Sequence, residues 1–462
     1  MSRIQTLLNH FPNYAITNPQ GEILLSKNTF HFPLSSISNL TQIHQMISQL
    51  GPGDIAITNE VSSFTSGLHQ FIMTYGLQFG SKELCFLHIS MEFPKVFPLD
   101  KKIESEFLRL PPLPIVVKNQ IQQDLISNIC SHPLAPKGLK DRFLEQIQTF
   151  LSLGKTLDSL SQYDLFSDLR WLLKASNKSL QIEMDSLELF ETHSKVTLAT
   201  GETLEGKFRV SEEGFFVDFK GTSLAQKLFI PAHVTQSASL QAFKDFFFPK
   251  LTLDHNWFKY LNLRLPDSFL NCKTLPTQSL CAYYGYQLVY GFIIQSLAKN
   301  PRRLRGASPL IPAYLVSPQE AWSLEIPSSL GAVQSPFSNA TEEKNYTPFL
   351  TWNDSVIDQL LKSTKTLTLK KMYPRLDRHG KGSIDGSFGT HLEFEAHQDT
   401  EVLFISEPAL HQIRSPKQGP SDICEAIMNH QKEHLITHSQ TLSLKKNEAL
   451  DILSAGGGAL VI

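Results

Sequence analysis

The sequence of 462 residues contains little cysteine and no long apolar run. Its five cysteines are scattered and never in a C-x-x-C spacing, which argues against a disulfide framework and a structural zinc site. No apolar stretch approaches the roughly 18 to 20 residues that a membrane-spanning helix requires. The N-terminus reaches Asn9 and His10 too soon for a signal peptide. These absences predict a soluble protein of the reducing cytoplasm that does not enter a membrane.

The sequence also lacks an excess of positive charge and any nucleotide-binding motif. With 42 Lys and Arg against 44 Asp and Glu, the net charge is −2, so no basic field favours nucleic acid. The glycine-rich runs at 380–389 and 454–459 lack the Lys-Ser/Thr ending and the strand-to-helix setting of a phosphate loop. No G-x-S-x-G motif supports a serine hydrolase. We therefore expect no nucleic-acid partner and no cofactor or ATP site in this chain.

What the sequence does contain is ordinary globular composition, with 41% hydrophobic and 19% charged residues. Segments with the two-residue period of strands alternate with segments of helical spacing, so the predicted fold class is mixed α+β. We expect an N-terminal α/β part, a helical segment, a central strand-rich part with an apolar helix and a loop-heavy tail, and a C-terminal β part, all in one unit. Their predicted bounds are 1–116, 117–186, 187–364 and 365–462.

Helical spacing is clearest in two regions. Apolar residues recur every three or four positions from 117 to 184, and prolines and Gly154 are predicted to divide this region into at least three helices. Residues 281–298 predict an apolar helix rich in aromatic side chains. Gly285 and Gly291 within it would allow close helix packing, although each weakens the helix by about 1 kcal/mol.

The chain is organised around residues 214–226, GFFVDFKGTSLAQ. Its first half alternates as a strand does and then reaches Gly221, which can adopt backbone conformations closed to other residues. A sharp turn there would hold Asp218 and Thr222 near one strand end, with a helix following at roughly 234–247. Taken alone, this turn makes Asp218 and Thr222 candidates for a catalytic role.

Several segments, taken in order, resemble the hydantoinase B and oxoprolinase B-type subunits, a family that includes relatives in ATP-dependent acetone and acetophenone carboxylases. Each match is weak alone, and their shared order carries the resemblance. The segments are YAITNPQGEILL, GPGDIAITNE, ESEFLRLPPLPI, VDFKGTS, NLRLPDSFLNCKTLP, DGSFGTHLEFEA and LDILSAGGGAL. Together they extend over nearly the whole chain. The resemblance implies that Asp218, Gly221 and Thr222 form a structural turn of the family's scaffold rather than a catalytic group.

The resemblance implies both an activity and a partner. In this family a B-type subunit pairs with an A-type subunit that binds and hydrolyses ATP. The pair opens cyclic amides such as hydantoin or 5-oxoproline, or carboxylates a ketone. The A-type subunit phosphorylates the activated carbonyl or enol, and the B-type subunit completes the reaction at a divalent metal site. The resemblance thus implies a hetero-oligomeric hydrolase acting on a small cyclic amide or ketone, with ATP on the partner.

The resemblance fails at the expected metal ligands. The family carries a G-T-H-L-P-D pattern after the strand of its PGD motif, but here Gly67 stands at the His and Gln70 at the Asp. After the next strand the family has a His-His pair, where this chain has Glu92 and Phe93. Two hypotheses remain: a compensated metal site that uses His69, Glu92 and a third ligand, or a degenerate structural or regulatory subunit without a metal site. No catalytic residue is identified.

The remaining histidines are weaker candidates for metal ligands. Four are spread without metal spacing and are predicted to be surface or satisfied core residues: His31, His44, His88 and His255. In the segment HLEFEAHQD, four side chains share one face of a predicted strand: His391, Glu393, Glu395 and His397. They would form either a metal cluster or simply the solvent-facing side of the strand, and the second interpretation is favoured.

Overall fold

The computed structural model confirms a mixed α+β fold with several sheets. The residues it describes are 14–27, 50–59, 70–79, 83–92, 108–135, 138–159, 165–248, 251, 253–272, 279–300, 313–317, 322–326, 366–375, 389–406, 425–430, 435–436 and 440–454. Of the helices among them, none is long and apolar enough to span a membrane.

Within the described N-terminal region, seven strands form one antiparallel sheet. The strands are β1 (Tyr14–Thr17), β2 (Ile23–Lys27), β3 (Ile55–Thr58), β4 (Gln70–Phe79), β5 (Glu83–Glu92), β6 (Leu113–Val117) and β7 (Gln120–Ile121). Their order across the sheet is β2-β1-β5-β4-β3-β6-β7. Strand β5 therefore lies between β1, which is distant from it in sequence, and β4, with which it forms the long hairpin at the centre of the sheet.

Helices cover one face of this sheet. They are α1 (Gln123–Ser131), α2 (Leu139–Ser159) and the first part of α3 (Leu165–Asp185), whose later residues Leu180 and Met184 pack in the central core instead. Strand β4 contacts α2 through aromatic pairs, with ring centroids of Phe71 and Phe143 6.0 Å apart and those of Tyr75 and Phe150 5.2 Å apart. The predicted helix break at Gly154 is wrong, because α2 continues through it. The cost of about 1 kcal/mol for one glycine is small beside the burial of the apolar face of α2.

The other face of the sheet packs on the central part of the chain, so a single core joins Ala15, Ile72 and Phe86 to the central helices. The central elements are β8 (Phe190–Thr197), β9 (Thr203–Ser211), β10 (Gly214–Asp218), α4 (Ala232–Phe247), a 3-10 helix (His255–Tyr260), β11 (Leu261–Arg264) and α5 (Ser279–Leu297). The strands form a sheet of order β11-β10-β9-β8. The predicted strand, the helix after it and the apolar helix are thus confirmed.

Aromatic side chains fill this central core. The ring of Phe215 in β10 stacks on Phe243 of α4, with a centroid distance of 4.4 Å. Helix α5 approaches the chain before α4 so closely that a Cβ at Gly285 would lie 2.4 Å from the side chain of Ile230. Gly285 does allow a close approach, since no residue with a side chain fits there without a shift, but its neighbour Ile230 belongs to the segment before α4 rather than to a helix.

The C-terminal strands form two further antiparallel sheets. Their members are β12 (Ala313–Ser317), β13 (Trp322–Ile326), β14 (Leu367–Arg375), β15 (Gly389–Ala396), β16 (Thr400–Ile405), β17 (Glu425–Met428), β18 (Leu435–Ile436), β19 (Gln440–Leu444) and β20 (Ala449–Leu453). The orders are β13-β12-β16-β19 and β14-β15-β20-β17-β18. The first sheet joins strands from either side of residue 364, and the division into four parts stays a prediction.

Candidate functional site

Two of the family's expected ligand positions, Gln70 and Glu92, lie at one end of the seven-stranded sheet. Gln70, the first residue of β4, is the cross-strand partner of Glu92, the last residue of β5. Strand β3 ends beside them, with Thr58 opposite Ile72. Two of the four departures found in the sequence are therefore cross-strand neighbours.

The side chains of this sheet end are only partly described. His69, Gly67 and Phe93 lie outside the described residues, as do the side chains of Gln70 and Glu92. The compensated metal site therefore stays a prediction. Elsewhere in the described part of the chain, no group of three or more His, Cys, Asp or Glu side chains could hold a metal ion.

Hydrogen bonds hold the end of β3 in place beside Gln70 and Glu92. Asn59, which directly follows β3, is fully buried and donates from Nδ2 to the carbonyl of Leu108 at 2.7 Å, while its Oδ1 accepts from the Leu110 amide at 2.7 Å. The hydroxyl of Thr58 donates to the Leu110 carbonyl at 2.9 Å. Residues 58–59 of GPGDIAITNE therefore lie beside residues 108–110 of ESEFLRLPPLPI, because the side chains of the first bind the backbone of the second.

The buried carboxylate at the opposite end of β3 has a structural role. Asp54 accepts from the amide of Gly51 at 2.8 Å and from the amide of Lys118 at 2.6 Å. Lys118 and Asn119 form the turn between β6 and β7 and both have positive φ, 51° and 62°. Asp54 thus joins two turns, and its position at the start of β3 places it away from Gln70 and Glu92.

His88 is a satisfied core histidine, as predicted. It lies in the middle of β5, fully buried, with Nε2 2.9 Å from the Thr17 hydroxyl and Nδ1 2.9 Å from the Thr74 hydroxyl. Burial lowers the pKa of its imidazole to about 3, because desolvation disfavours the charged ring. His31 and His44 lie outside the described residues.

Strand β15 has the alternation of a half-buried strand. Leu392, Phe394 and Ala396 are buried in the C-terminal core, whereas His391, Glu393 and Glu395 on the other side are partly exposed. The next histidine, His397, is exposed and hydrogen-bonds to Thr368. The solvent-facing interpretation of this strand side is confirmed.

The turn after β10 binds the neighbouring hairpin. Gly221 has φ of +104°, and a Cβ there would lie 2.6 Å from the carboxyl group of Glu205. The Thr222 hydroxyl donates to the Glu205 carbonyl at 2.9 Å and accepts from the Glu205 amide at 3.2 Å. Asp218 accepts from the backbone two residues on at 2.8 Å and lies 3.5 Å from the guanidinium of Arg264. Each of the three turn residues thus has a local structural contact.

Sequence reasoning missed a second contact of this turn. Glu202, only 2% exposed, accepts through Oε1 from three successive amides, those of Gln226, Lys227 and Leu228, at 3.0, 2.9 and 3.0 Å. Its Oε2 is buried without a hydrogen-bond partner among the described residues. A glutamate in a turn segment carries no sequence signal for this role, since the three amides are more than twenty positions away.

The carboxyl group of Glu205 in the same hairpin is held in its charged form. Hydrogen bonds from Lys195 and then His193 lower its pKa, against a smaller effect of burial. The Lys195 ammonium and the His193 ring each lie 3.0 Å from this carboxylate. The β8–β9 hairpin therefore presents a fixed negative charge beside Gly221, where an added side chain would collide with it.

The fold of the chain is shared with solved structures. The chain is similar to the crystal structure of an ATP-dependent caprolactamase from Pseudomonas jessenii, with a TM-score of 0.71, 13% identity, and coverage of 97% of this chain and 84% of that one. It is also similar to the nucleotide-free structure of an acetone carboxylase that carries out ATP-dependent acetone carboxylation. The TM-score is 0.69 and the identity 10%, and the match covers 97% of this chain and 71% of that one. No curated protein matches the sequence.

The family itself is given by a profile match. The Hydantoinase B/oxoprolinase profile matches residues 12–460, which is nearly the whole chain. The chain therefore belongs to the Hydantoinase B/oxoprolinase family, and the resemblance drawn from the ordered segments is confirmed.

Proposed function

We propose that this chain is the B-type subunit of an ATP-dependent cyclic-amide hydrolase of the hydantoin or 5-oxoproline type, or of a related carboxylase. The family match over residues 12–460 is the observation that carries the proposal. The similar solved structures support it, since one is an ATP-dependent caprolactamase, whose name denotes a cyclic amide, and the other is an acetone carboxylase.

The proposed complex is a cytoplasmic hetero-oligomer with an A-type chain that binds ATP. ATP is assigned to the partner because neither glycine-rich run of this sequence has the features of a phosphate loop. The chemistry favours such a division, because an unstrained amide is a poor electrophile until its oxygen becomes a leaving group. Phosphorylation by one subunit would achieve this, and the other would hold the activated substrate for hydrolysis or carboxylation.

The family's metal ion fits poorly at the sheet end of Gln70 and Glu92. Gly67 and Phe93 stand at two ligand positions and offer no donor atom, and Gln70 replaces a carboxylate by a neutral amide. Only Glu92 supplies a charged oxygen ligand among the four positions. We therefore derive no catalytic step through a metal ion in this chain.

This poor fit supports a second hypothesis of a different class. The chain would be a structural or regulatory subunit that keeps the family fold and its assembly surfaces but not the metal site. The structural contacts of Asn59, Asp54 and Thr222 are expected under both hypotheses, since each stabilises the scaffold irrespective of chemistry. The activity of the whole complex would then depend on other chains.

Co-purification with an A-type chain tests the leading proposal. ATP hydrolysis by the pair should rise with one of three substrate types: hydantoin, 5-oxoproline or a simple ketone. Neither chain alone should show this stimulation. If the isolated chain hydrolyses a cyclic amide unaided and recovers no partner, the proposal is wrong.

Elemental analysis distinguishes the two hypotheses. A stoichiometric divalent metal that is lost in His69→Ala or Glu92→Ala, but kept in the exposed control Glu401→Ala, would exclude the degenerate subunit. Protein without metal that still binds its A-type partner would instead exclude catalysis at this sheet end. Circular dichroism of each variant verifies that the fold is retained.

A further inference from the structure

A second polar cluster lies on the outer side of the C-terminal sheet, far in sequence from the sheet end of Gln70 and Glu92. Its centre is Asp451 in β20, the middle strand of the order β14-β15-β20-β17-β18. Asp451 is only 3% exposed and lies between two imidazoles. Nε2 of His391 is 2.8 Å from its Oδ1, and Nδ1 of His430 is 2.6 Å from its Oδ2.

With the Asp451 carboxylate as acceptor, these contacts select the tautomer of each neutral ring. An ionised carboxylate has only acceptors, so the ring nitrogen facing it must carry hydrogen in each case. In the neutral ring of His430 the lone pair is then on Nε2, which points away from Asp451. The side chain of His430 is 57% exposed, whereas that of His391 is 19% exposed. The unprotonated Nε2 of His430 thus lies on the exposed side of the ring, while the buried carboxylate of Asp451 binds the opposite nitrogen, Nδ1.

The backbone is shaped to place this ring. Asn429 and His430 follow β17 with φ of 50° and 56°, in the left-handed region that few residues other than glycine occupy. The side chain of Asn429 makes two hydrogen bonds: its Nδ2 donates to the Glu448 carboxylate at 3.0 Å, and its Oδ1 accepts from the backbone amide of Ala449 at 3.1 Å. The turn therefore directs His430 back over the sheet toward Asp451. Left-handed residues of this kind persist where surrounding contacts hold them, and they are frequent at functional sites.

The neighbours of the cluster supply an aromatic surface and balanced charge. The ring of Tyr373, which is 44% exposed, lies 4.5 Å from the ring of His391. The ionisable groups on the adjoining strands are mostly paired. They are Lys371 with Glu393 at 3.0 Å on β14 and β15, Lys370 with Glu395 at 3.1 Å on the same strands, Arg375 with Glu425 at 3.5 Å on β14 and β17, and Glu448 beside the turn.

We propose that His430 and Asp451 form a general-base dyad for acyl transfer to water, at a site separate from the one discussed above. His430 Nε2 would accept a proton from a water molecule whose oxygen adds to the carbonyl carbon of a small ester or activated amide. The carbonyl electron pair moves to its oxygen, and collapse of this adduct expels the leaving group, which takes the proton back from the imidazolium. Asp451 holds the required tautomer, as the aspartate of a Ser-His-Asp triad does, and His391 is a positioning residue.

Hydrolysis of p-nitrophenyl acetate by the full chain, followed from pH 5 to 9, tests the dyad. His430→Gln should lower the second-order rate constant at least tenfold, since a positioned general base contributes roughly 10²–10⁴-fold. Asp451→Asn should lower it comparably and change the pH profile, because an amide can stabilise the wrong tautomer. The matched control is His397→Gln, which removes an exposed imidazole that bonds Thr368, and it should leave the rate unchanged.

The outcomes separate the dyad from two simpler explanations. Equal rates for wild type, His430→Gln and His397→Gln would overturn the proposal, since exposed imidazoles in general would then account for the activity. A reaction at His430 without a solvent deuterium isotope effect would overturn the base role in favour of direct nucleophilic attack. If Asp451→Asn fails to fold, His430→Gln decides alone, because its side chain is exposed and its removal leaves the core intact.

Discussion

His88 should make the stability of the protein fall as the pH is lowered below neutrality. The folded state keeps this buried imidazole neutral with a pKa of about 3, whereas the ordinary value in an unfolded chain is 6.5. Below pH 6.5 the unfolded state therefore binds a proton that the folded state does not. The stabilisation is fully present above pH 6.5 and is lost as the pH falls toward about 3. At pH 5, about 1.5 units below 6.5, the loss amounts to about 2 kcal/mol at 1.36 kcal/mol per unit.

The perturbation that isolates this effect is His88→Gln. Glutamine offers a donor and an acceptor to Thr17 and Thr74 but does not titrate, so the variant lacks this contribution to the pH dependence. Urea unfolding followed by circular dichroism at pH 7 and pH 5 gives the free energy of unfolding of each protein. We expect wild type to lose about 2 kcal/mol more than His88→Gln between the two pH values. The exposed His132→Gln serves as the matched control and should behave as wild type does.

An identical pH dependence in wild type and His88→Gln would refute the reasoning. It would mean that the imidazole titrates alike in both states, and hence that β1, β4 and β5 do not exclude water from it. Hydrogen exchange of peptides from β5 supplies an independent measurement. Protection there should fall from pH 7 to pH 5 in wild type by more than the intrinsic exchange rate accounts for, and less so in the variant.

Three further substitutions probe the central scaffold. Thr222→Val removes the hydroxyl that binds both backbone groups of Glu205, so the free energy of unfolding should fall by about 1–3 kcal/mol. The control Thr222→Ser keeps the hydroxyl and should stay near wild type. Normal stability with lost turnover would contradict a scaffold role. Gly285→Ala should destabilise the protein by about 1–3 kcal/mol, because the added methyl group collides with Ile230. In a double-mutant cycle, the Gly285→Ala/Ile230→Ala variant should lose less stability than the sum of the two single variants. Strict additivity would argue against the contact. Glu202→Ala leaves the amides of Gln226, Lys227 and Leu228 without their acceptor and should lower the thermal midpoint, at a cost of about 3 kcal/mol. An unchanged midpoint would show that water replaces the carboxylate.

Local sequence patterns identified much of the fold. The alternation before Gly221, the helical spacing near 234–247 and the apolar run at 281–298 each gave the correct element, because neighbours in sequence dictate these periods. Strand β4 has no such signal, since Phe71, Ile72 and Met73 are all buried and alternation disappears when both faces of a strand are covered. The break predicted at Gly154 failed because tertiary burial of α2 outweighs a single weak helix residue.

For the candidate sites too, some features follow from the sequence and others only from the tertiary structure. The sequence alone identified the family and the loss of its usual ligand types at Gln70 and Glu92, since residue type and segment order are properties of the chain. Only the tertiary structure made those two residues cross-strand partners, and only it placed His430 beside Asp451 and three amides around Glu202. The physical reason is that periodicity depends on adjacent residues, whereas strand order and burial depend on packing between segments that no local pattern specifies.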